Sequence, residues 1–333
     1  MPPRITIVTP SFQQAAYVEE CITSVLDQGY PDLEYMVIDG GSTDGSRAIG
    51  ERYADRLTWW CSEKDKGQAH AINKGLERAT GRIFGWINSD DLLLPGSLEY
   101  VGNAFANDPE LVVLTGVRRS LQPDHSAVAM PLDDPDDPDR LFTGPLINQQ
   151  STFFRMDAIR EAGLLEAKLQ CVMDYELWLQ VLFRRGTTGV RIVPWELAVF
   201  RAHPNSKTAT MASRFLDEQA SIVHGLCLST GEQALADVLA IGHAIKRDLR
   251  AMPVGPEKAR LVRDMVERFL LKWHHTIYSG SDLRMMRSFR RVIPNIASED
   301  PMIRKWVTAL DDQLRATSWF SFRLRRKWKH LFG

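Results

Sequence analysis

The sequence predicts an α/β fold on a mainly parallel sheet, followed by a helical C-terminal region. Three observations carry this. Over residues 4–91, short β-rich stretches alternate with helical ones through short links, the pattern of a sheet covered on both faces. Hydrophobic residues make up 44% and charged residues 25% of 333, which allows a sizeable core. After about residue 212 strand-like stretches largely vanish, and helical periodicity punctuated by Pro253, Pro256, Pro294 and Pro301 runs to the end. The expected organisation is one α/β domain over 1–210 and a helical domain over 211–333.

Each element has its own reason. Residues 4–10 are β-rich, and Pro10 should end them. Residues 15–28 carry Val18, Ile22, Val25 and Leu26 at helical spacing. Residues 33–39 are a second strand, closed by Asp39-Gly40-Gly41-Ser42-Thr43-Asp44-Gly45-Ser46. Its glycines permit positive φ, and Ser42, Thr43 or Asp44 can cap the helix that runs to residue 53. A strand over 57–61, a helix over 67–80 ended by Gly81, and a strand over 83–87 follow. Next come a helix over 96–107 and a strand over 111–121. Residues 131–139 are acidic and proline-broken, hence a solvated loop. Residues 146–154 read as a strand carrying Gln149 and Gln150, and 174–185 as an amphipathic helix. Short strands over 190–193 and 195–200 lead to Arg201-Ala202-His203-Pro204-Asn205-Ser206-Lys207.

A formal net charge of −1 gives no general attraction to polyanions, so no nucleic-acid partner is expected. Cys21, Cys61, Cys171 and Cys227 are scattered without a CxxC pair, which fits a reducing cytosol better than zinc or disulfides. No signal-peptide pattern is visible at residues 1–4, and no apolar run approaches the roughly 20 residues of a spanning helix. The expected location is cytoplasmic.

Ligands of parallel sheets sit at the carboxyl ends of the strands. Four polar clusters fall there: Thr9-Pro10-Ser11, residues 39–44, residues 63–67 and Asn88-Ser89-Asp90-Asp91. Two adjacent carboxylates just past a buried strand need solvent, donors or a cation, and hard oxygen ligands suit Mg²⁺ or Mn²⁺. Turn chemistry is the commoner use of such a pair.

In this order and spacing, the clusters resemble the family-2 glycosyltransferases. The motifs are Thr6-Ile7-Val8-Thr9-Pro10-Ser11-Phe12, Val37-Ile38-Asp39-Gly40-Gly41-Ser42-Thr43-Asp44-Gly45-Ser46, Asp65-Lys66-Gly67-Gln68, Asn88-Ser89-Asp90-Asp91 and Met173-Asp174-Tyr175-Glu176-Leu177-Trp178. The resemblance covers roughly the first two-thirds of the chain. It implies a GT-A fold, a Rossmann-like mixed sheet with helices on both faces. It also implies non-processive, inverting transfer of a sugar from a nucleotide-sugar to an acceptor hydroxyl. The donor expected first is a UDP-sugar, then a GDP- or TDP-sugar, with Mn²⁺ or Mg²⁺ on its diphosphate.

The residue roles follow from that resemblance. Thr9, Pro10 and Ser11 wall the base and Asp39 hydrogen-bonds it, while Lys66 approaches nucleotide or phosphate. Asn88, Ser89 and Asp90 stand where the family has its DxD motif. Asp90 is then a metal ligand, with Asp91 and His203 as further candidates. Asn88 departs from the usual first Asp. Asp174 matches the second acid of the family's acidic pair and is the candidate general base. Met173 replaces the first acid, and Glu176 is a poorly placed substitute. Lys207 can offset phosphate charge. Gln149, Gln150 and Arg155 are candidates for the acceptor side, whereas Trp86 and Trp178 read as core.

The acceptor is expected to be a saccharide, lipid-linked in one reading. Residues 319–332 mix aromatics with Arg and Lys, as would suit the inner face of an anionic membrane or a docked terminal helix. Two rivals stand beside this reading. A sugar-1-phosphate nucleotidyltransferase would want a Gly-rich, Arg-bearing loop after the first strand. A non-catalytic scaffold on a decayed transferase fold would explain Asn88 and Met173. A processive synthase lacks support, because neither membrane spans nor a Gln-x-x-Arg-Trp motif occurs.

Overall fold

The structure is a computed structural model that describes residues 2–124, 126–130, 137–143, 147–294, 296 and 300–316. It divides into two compact units, Met1–Leu141 with Pro145–Phe215, and Phe142–Gly144 with Leu216–Gly333.

The first unit holds nine strands among the described residues: β1 (Ile5–Ser11), β2 (Leu33–Asp39), β3 (Trp59–Ser62), β4 (Ile83–Trp86), β5 (Leu92–Leu93), β6 (Val113–Leu121), β7 (Ala127–Met130), β8 (Thr152–Arg155) and β9 (Val190–Arg201). Their order is β3-β2-β1-β4-β8-β6-β9-β5, with β7 paired to β6. The helices are α1 (Val18–Leu26), α2 (Ser46–Tyr53), α3 (Gln68–Arg78), α4 (Ser97–Asn107), α5 (Met156–Ala162), α6 (Met173–Arg185) and α7 (Lys207–Thr210).

Strands β1 to β4 pair in parallel, as helical crossovers require. The sheet is otherwise mixed: β8 is antiparallel to both β4 and β6, and β5 is antiparallel to β9. No crossover helix separates β6 from β8, so the chain returns from the edge it left by, which makes β8 antiparallel. Ile5, Ile7, Tyr35 and Val37 pack on one face with Cys21, Ile22, Val25, Leu98 and Val101. On the other face Val8 and Ile38 lie under α3, where Gly75 lets the helix approach.

The boundaries differ from expectation for identifiable reasons. Pro10 does not end β1, which pairs Pro10 with Ile38 and Ser11 with Asp39. Its missing N–H points toward β4, whose pairing with β1 ends at Trp86, so no ladder bond is lost. Helix α1 starts at Val18 rather than 15 because the amides of residues 13–15 are already taken. Ser42 Oγ accepts from Gln13 N at 2.8 Å, Ser46 Oγ from Gln14 N at 2.9 Å and Asp44 Oδ2 from Ala15 N at 2.9 Å. The cap of α2 is Gly45 at φ 106, not Ser42 or Thr43, and Asp44 Oδ1 accepts from Ser46 N at 3.0 Å. Gly81 has no positive φ, and α3 ends at Arg78. A Cβ on Gly81 would sit 2.8 Å from Thr6 N, so a close backbone approach is the reason for glycine there. Residues 149–151 form a 3₁₀ turn before β8 rather than strand. The two short strands expected over 190–200 are one strand, irregular where Thr115 pairs with Ile192 and Val117 with Glu196.

The second unit is helical: α8 (Ala212–Thr230), α9 (Gln233–Gly242), α10 (Ala259–His274), α11 (Gly280–Val292) and α12 (Pro301–Ala316). Leu226, Leu239, Val262, Leu270, Met286 and Phe289 are buried. Ser279 and Asp282 form a capping box at the start of α11. Among the described residues no helix is long and apolar enough to cross a membrane. The aromatic, basic stretch 319–332 and most of the acidic segment, residues 131–136, lie outside the described residues.

Gly75 provides a test of how α3 is seated. A Cβ there would lie 2.6 Å from Val8 Cγ2, and a β-branched core side chain has little freedom to move aside. Gly75→Ala is expected to destabilise the protein by about 1–3 kcal/mol, seen as a lower urea midpoint, despite alanine's better helix propensity.

Candidate functional site

The strand directions bring the strand-end clusters to one edge. Strands β1 to β4 and β6 run in parallel, and β9 runs with β6, so their carboxyl ends lie together. The amino ends of β8 and β5 join them. Along this edge stand Ser11, Asp39, Asn88 to Asp91, Arg118, Gln149 and Gln150, and the segment from Arg201 to Lys207.

Asp39 ends β2 fully buried. Its Oδ2 accepts from Gly41 N at 3.1 Å, Ser42 N at 2.9 Å and Ser62 Oγ at 2.6 Å, and its Oδ1 from Ser42 Oγ. This carboxylate therefore organises the β2 and β3 ends and keeps acceptor capacity on Oδ1. Beside it, Ser11 Oγ is buried without a hydrogen-bond partner, a group that a polar ligand would satisfy. Thr9 turns inward, its hydroxyl 3.0 Å from Tyr35 OH, so Thr9 and the buried Pro10 offer backbone rather than side chain. In the next loop Asp65 Oδ1 accepts from Gly67 N at 2.8 Å. Gly67 has φ 118, so the backbone favours glycine there, and the Gln170 amide packs into the space a Cβ would take. Lys66 is exposed, and its backbone N–H donates to His70 Nδ1 at 3.4 Å.

The segment after β4 divides its labour. Asp91 is buried, and its two oxygens face protein donors: Oδ1 accepts from Arg201 N at 3.0 Å, and Oδ2 from Gln150 Nε2 at 2.9 Å and Asn88 Nδ2 at 3.3 Å. Burial, then the Asp90 charge, raise its pKa, and these donors oppose that rise without cancelling it. With all its neighbours donating, it is held as an acceptor. Asp90 retains 19% side-chain exposure and meets His203 Nε2 at 3.0 Å through Oδ2. The Nδ1 of His203 is buried without a partner, and its ring lies 4.9 Å from that of Tyr17. Arg201 lies over Tyr17 at 4.9 Å and pairs with Glu20, which ties the end of β9 to α1. Ser89 is buried.

Among the described residues no three His, Cys, Asp or Glu gather as a metal cluster. Asp90 and His203 are an oxygen and nitrogen pair that could hold a divalent ion; the carboxylate suits Mg²⁺ or Mn²⁺, and the imidazole favours Mn²⁺ over Mg²⁺.

Asn88 is held on three sides. Its Oδ1 accepts from Gln68 Nε2 at 2.5 Å, while its Nδ2 donates to Gln149 Oε1 at 3.1 Å and to Asp91. Gln149 Nε2 donates in turn to Trp86 O at 2.7 Å. Lys207 Nζ closes the chain on Gln68 Oε1 at 2.7 Å and Gln170 O at 2.9 Å. Lys207, Gln68, Asn88 and Asp91 thus form one relay across the segments that follow β9, β3 and β4.

Asp174 lies in the first turn of α6, whose cap is Val172, so it is not the cap itself. Its Oδ1 accepts from Tyr175 N at 2.9 Å, and among the described residues Oδ2 has no donor. Burial raises its pKa, while Arg118 and Lys207 act in the opposite sense. A half-buried carboxylate with a free oxygen and a raised pKa is equipped to accept a proton. Glu176 is buried and receives Gln180 Nε2 at 2.9 Å. Arg155 is turned away, donating to Leu111 O and Pro109 O. Trp86 and Trp178 are core.

Gln68, Tyr17, Gln170, Arg201 and Arg118 carry no expectation from sequence, yet all take part. For Arg118 a signal existed: two adjacent arginines in a strand must face opposite sides, so one of Arg118 and Arg119 had to turn inward.

The sequence profile described as glycosyl transferase family 2 matches residues 6–158. An uncharacterised glycosyltransferase of Rickettsia typhi is 24% identical over 255 residues, covering 74% of this chain and 79% of that protein. The putative teichuronic acid biosynthesis glycosyltransferase of Bacillus subtilis is 39% identical over 100 residues, covering 29% of this chain and 40% of that one. The chondroitin synthase of Pasteurella multocida is 29% identical over 184 residues, which span 54% of this chain but 19% of the synthase. Among solved structures, Staphylococcus aureus TarS 1–349 in complex with UDP-GlcNAc superposes with a TM-score of 0.61 at 12% identity, covering 94% of this chain and 89% of that one. The shared fold is GT-A.

The amide at position 88 has a testable consequence. Asn88→Asp would set a carboxylate against Asp91 Oδ2 and Gln149 Oε1, neither of which can donate to it. Restoring the usual acid is expected to cost about 1–3 kcal/mol of stability at neutral pH, and less where the new carboxyl is protonated and can donate. Thermal melts across pH check this; a neutral-pH midpoint equal to wild type would contradict the role given to the amide.

Proposed function

We propose that this chain, whose residues 6–158 match the glycosyl transferase family 2 profile, is an inverting, metal-assisted enzyme moving a sugar from a nucleotide-sugar to a saccharide hydroxyl. The observation that supports this is a set of carboxylates in unlike environments. Asp39 ends β2 buried, solvent-reaching Asp90 meets His203 after β4, and Asp174 begins α6 with Arg118 and Lys207 near it.

Asp39 Oδ1 and Ser11 Oγ would receive and orient the base of the donor, a UDP-sugar first and a GDP- or TDP-sugar next. Asp90 and His203 would hold Mn²⁺ or Mg²⁺, which when bound neutralises charge on the departing diphosphate. Lys207, held at that place by Gln68 and Gln170, adds positive charge beside the same group. Asp174 Oδ2 would take the acceptor hydroxyl's proton as that oxygen attacks the anomeric carbon and the nucleotide diphosphate leaves. Relatives named for teichuronic acid and chondroitin synthesis support assignment to polysaccharide biosynthesis. The loop after β1 argues against a nucleotidyltransferase: it lacks a Gly-rich, Arg-bearing cradle, and its amides are tied to Ser42, Ser46 and Asp44.

Asp174→Asn is expected to keep the thermal shift given by UDP with Mn²⁺ and to lose transfer by about 10²–10⁴-fold. Asp90→Ala is expected to lose the Mn²⁺-dependent part of that shift. Because Asp174 acts ionised and burial raises its pKa, kcat/KM should fall as pH drops through a value above the ordinary 3.8. Wild-type turnover by Asp174→Asn would refute the base assignment.

A further inference from the structure

Arg118 stands near the carboxyl end of β6, beside the proposed base. Its guanidinium lies 4.8 Å above the ring of Phe200, and its Nε is buried without a hydrogen-bond partner. Among the described residues it donates to no protein acceptor and forms no ion pair. The nearby charges are Asp91 and Asp174. Asp91 is already occupied by Arg201 N, Gln150 and Asn88. Neither acid is within ion-pairing distance, so they favour the cation without satisfying its donors. A guanidinium half withdrawn from water is retained at a cost unless something accepts from it.

Its place on the sheet says which substrate it meets. From Asp39 the edge passes through β1 to β4, which leads to Asp90, and then through β8 to β6. Arg118 is therefore two strands, about 10 Å, beyond β4 on the side away from the nucleotide end. Lys207, not Arg118, is joined through Gln68 to the amide after β4. A donor laid from Asp39 to Asp90 would leave Arg118 outside the diphosphate and on the side of Asp174, where the acceptor hydroxyl must arrive.

We propose that Arg118 is an anion-recognition residue of the acceptor subsite, and that the acceptor bears an oxyanion close to the hydroxyl that is glycosylated. The oxyanion is a uronate carboxylate or a polyol phosphate, since both present the paired oxygens that a guanidinium fork binds. This inference rests on the transferase reading above and adds the acceptor's chemical class to it. Phe200 lies against the guanidinium, and Arg118, unlike Lys207 with its contacts to Gln68 and Gln170, is a cation near Asp174 whose donors meet no acceptor among the described residues.

The test measures acceptor binding directly, on the full chain with UDP and Mn²⁺ present, by saturation-transfer NMR titration. Two matched pairs of probes separate the sources of charge: cellobiouronic acid against cellobiose, and glycerol-phosphate trimer against triglycerol. The expected result is that one acidic probe binds about tenfold or more tighter than its neutral partner, with the winning pair naming the anion. Arg118→Gln should abolish that preference, and Arg118→Lys, which keeps the charge but loses the fork, should retain part of it. The thermal shift by UDP and Mn²⁺ should be unchanged in both variants. Equal binding of acidic and neutral probes by the wild type would overturn the proposal, as would an acid preference that survives in Arg118→Gln. If the acid preference is present but UDP and Mn²⁺ give no shift in the wild type, the anion site stands and the transferase reading fails.

Discussion

The structure of this edge depends on one buried carboxylate. Asp91 has almost no access to water, so its charge has to be met by protein donors or given up, and an uncompensated buried charge costs several kcal/mol. The donors come from three separate parts of the chain: the amide of Asn88, the Gln150 side chain before β8 and the Arg201 backbone at the end of β9. Meeting that demand brings three strand ends into a fixed relation. Asn88 extends it to Gln68 on α3, and Gln68 to Lys207 beyond β9. Elements more than a hundred residues apart are thus held by a short series of hydrogen bonds, and Asn88, Gln68 and Gln149 each have both ends of the amide engaged. Such a network is rigid because any member that leaves strands a buried partner.

That rigidity frees the neighbouring residue. With Asp91 turned inward, Asp90 is left facing outward with His203. The three acids then differ in environment rather than in type. Asp39 gives Oδ2 to its own loop and keeps acceptor capacity on Oδ1, Asp90 reaches solvent beside His203, and Asp174 is raised by burial. Environments that separate like groups in this way are how one site distributes binding and proton transfer among carboxylates.

Much of the fold was legible because its signals are local. The strand Leu33–Asp39 has the expected bounds, since a β-rich run closed by Asp-Gly-Gly needs nothing from elsewhere. The start of α1 was not legible, because Ser42, Asp44 and Ser46, far along the chain, remove the amides that would have begun it sooner. The turn at Gln149 to Ser151 was misread as strand for a like reason: its glutamines answer to Asp91 and Trp86 O, not to a strand neighbour. Strand-end acids could be named from motif order. The roles of Gln68, Gln170 and Arg118 could not, because a polar residue in an apolar context shows that a partner must exist without showing which. Residues 131–136 and 319–332 lie outside the described residues.

The two departures from the family pattern have a common physical reading. Met173 is buried at the first position of α6, directly before Asp174. An acid there would be a second desolvated carboxylate beside Asp174, whose pKa is already raised, and each would push the other toward its neutral form. At position 88 an acid would face Asp91 and the carbonyl of Gln149, so the amide is what lets the relay close. In both places the missing acid would have crowded a carboxylate that burial already strains. The site keeps one titrating acid at each station and gives the adjoining position to an apolar or amide side chain. On this view Asn88 and Met173 are conditions for the remaining acids to hold their charge, rather than signs of a decayed centre.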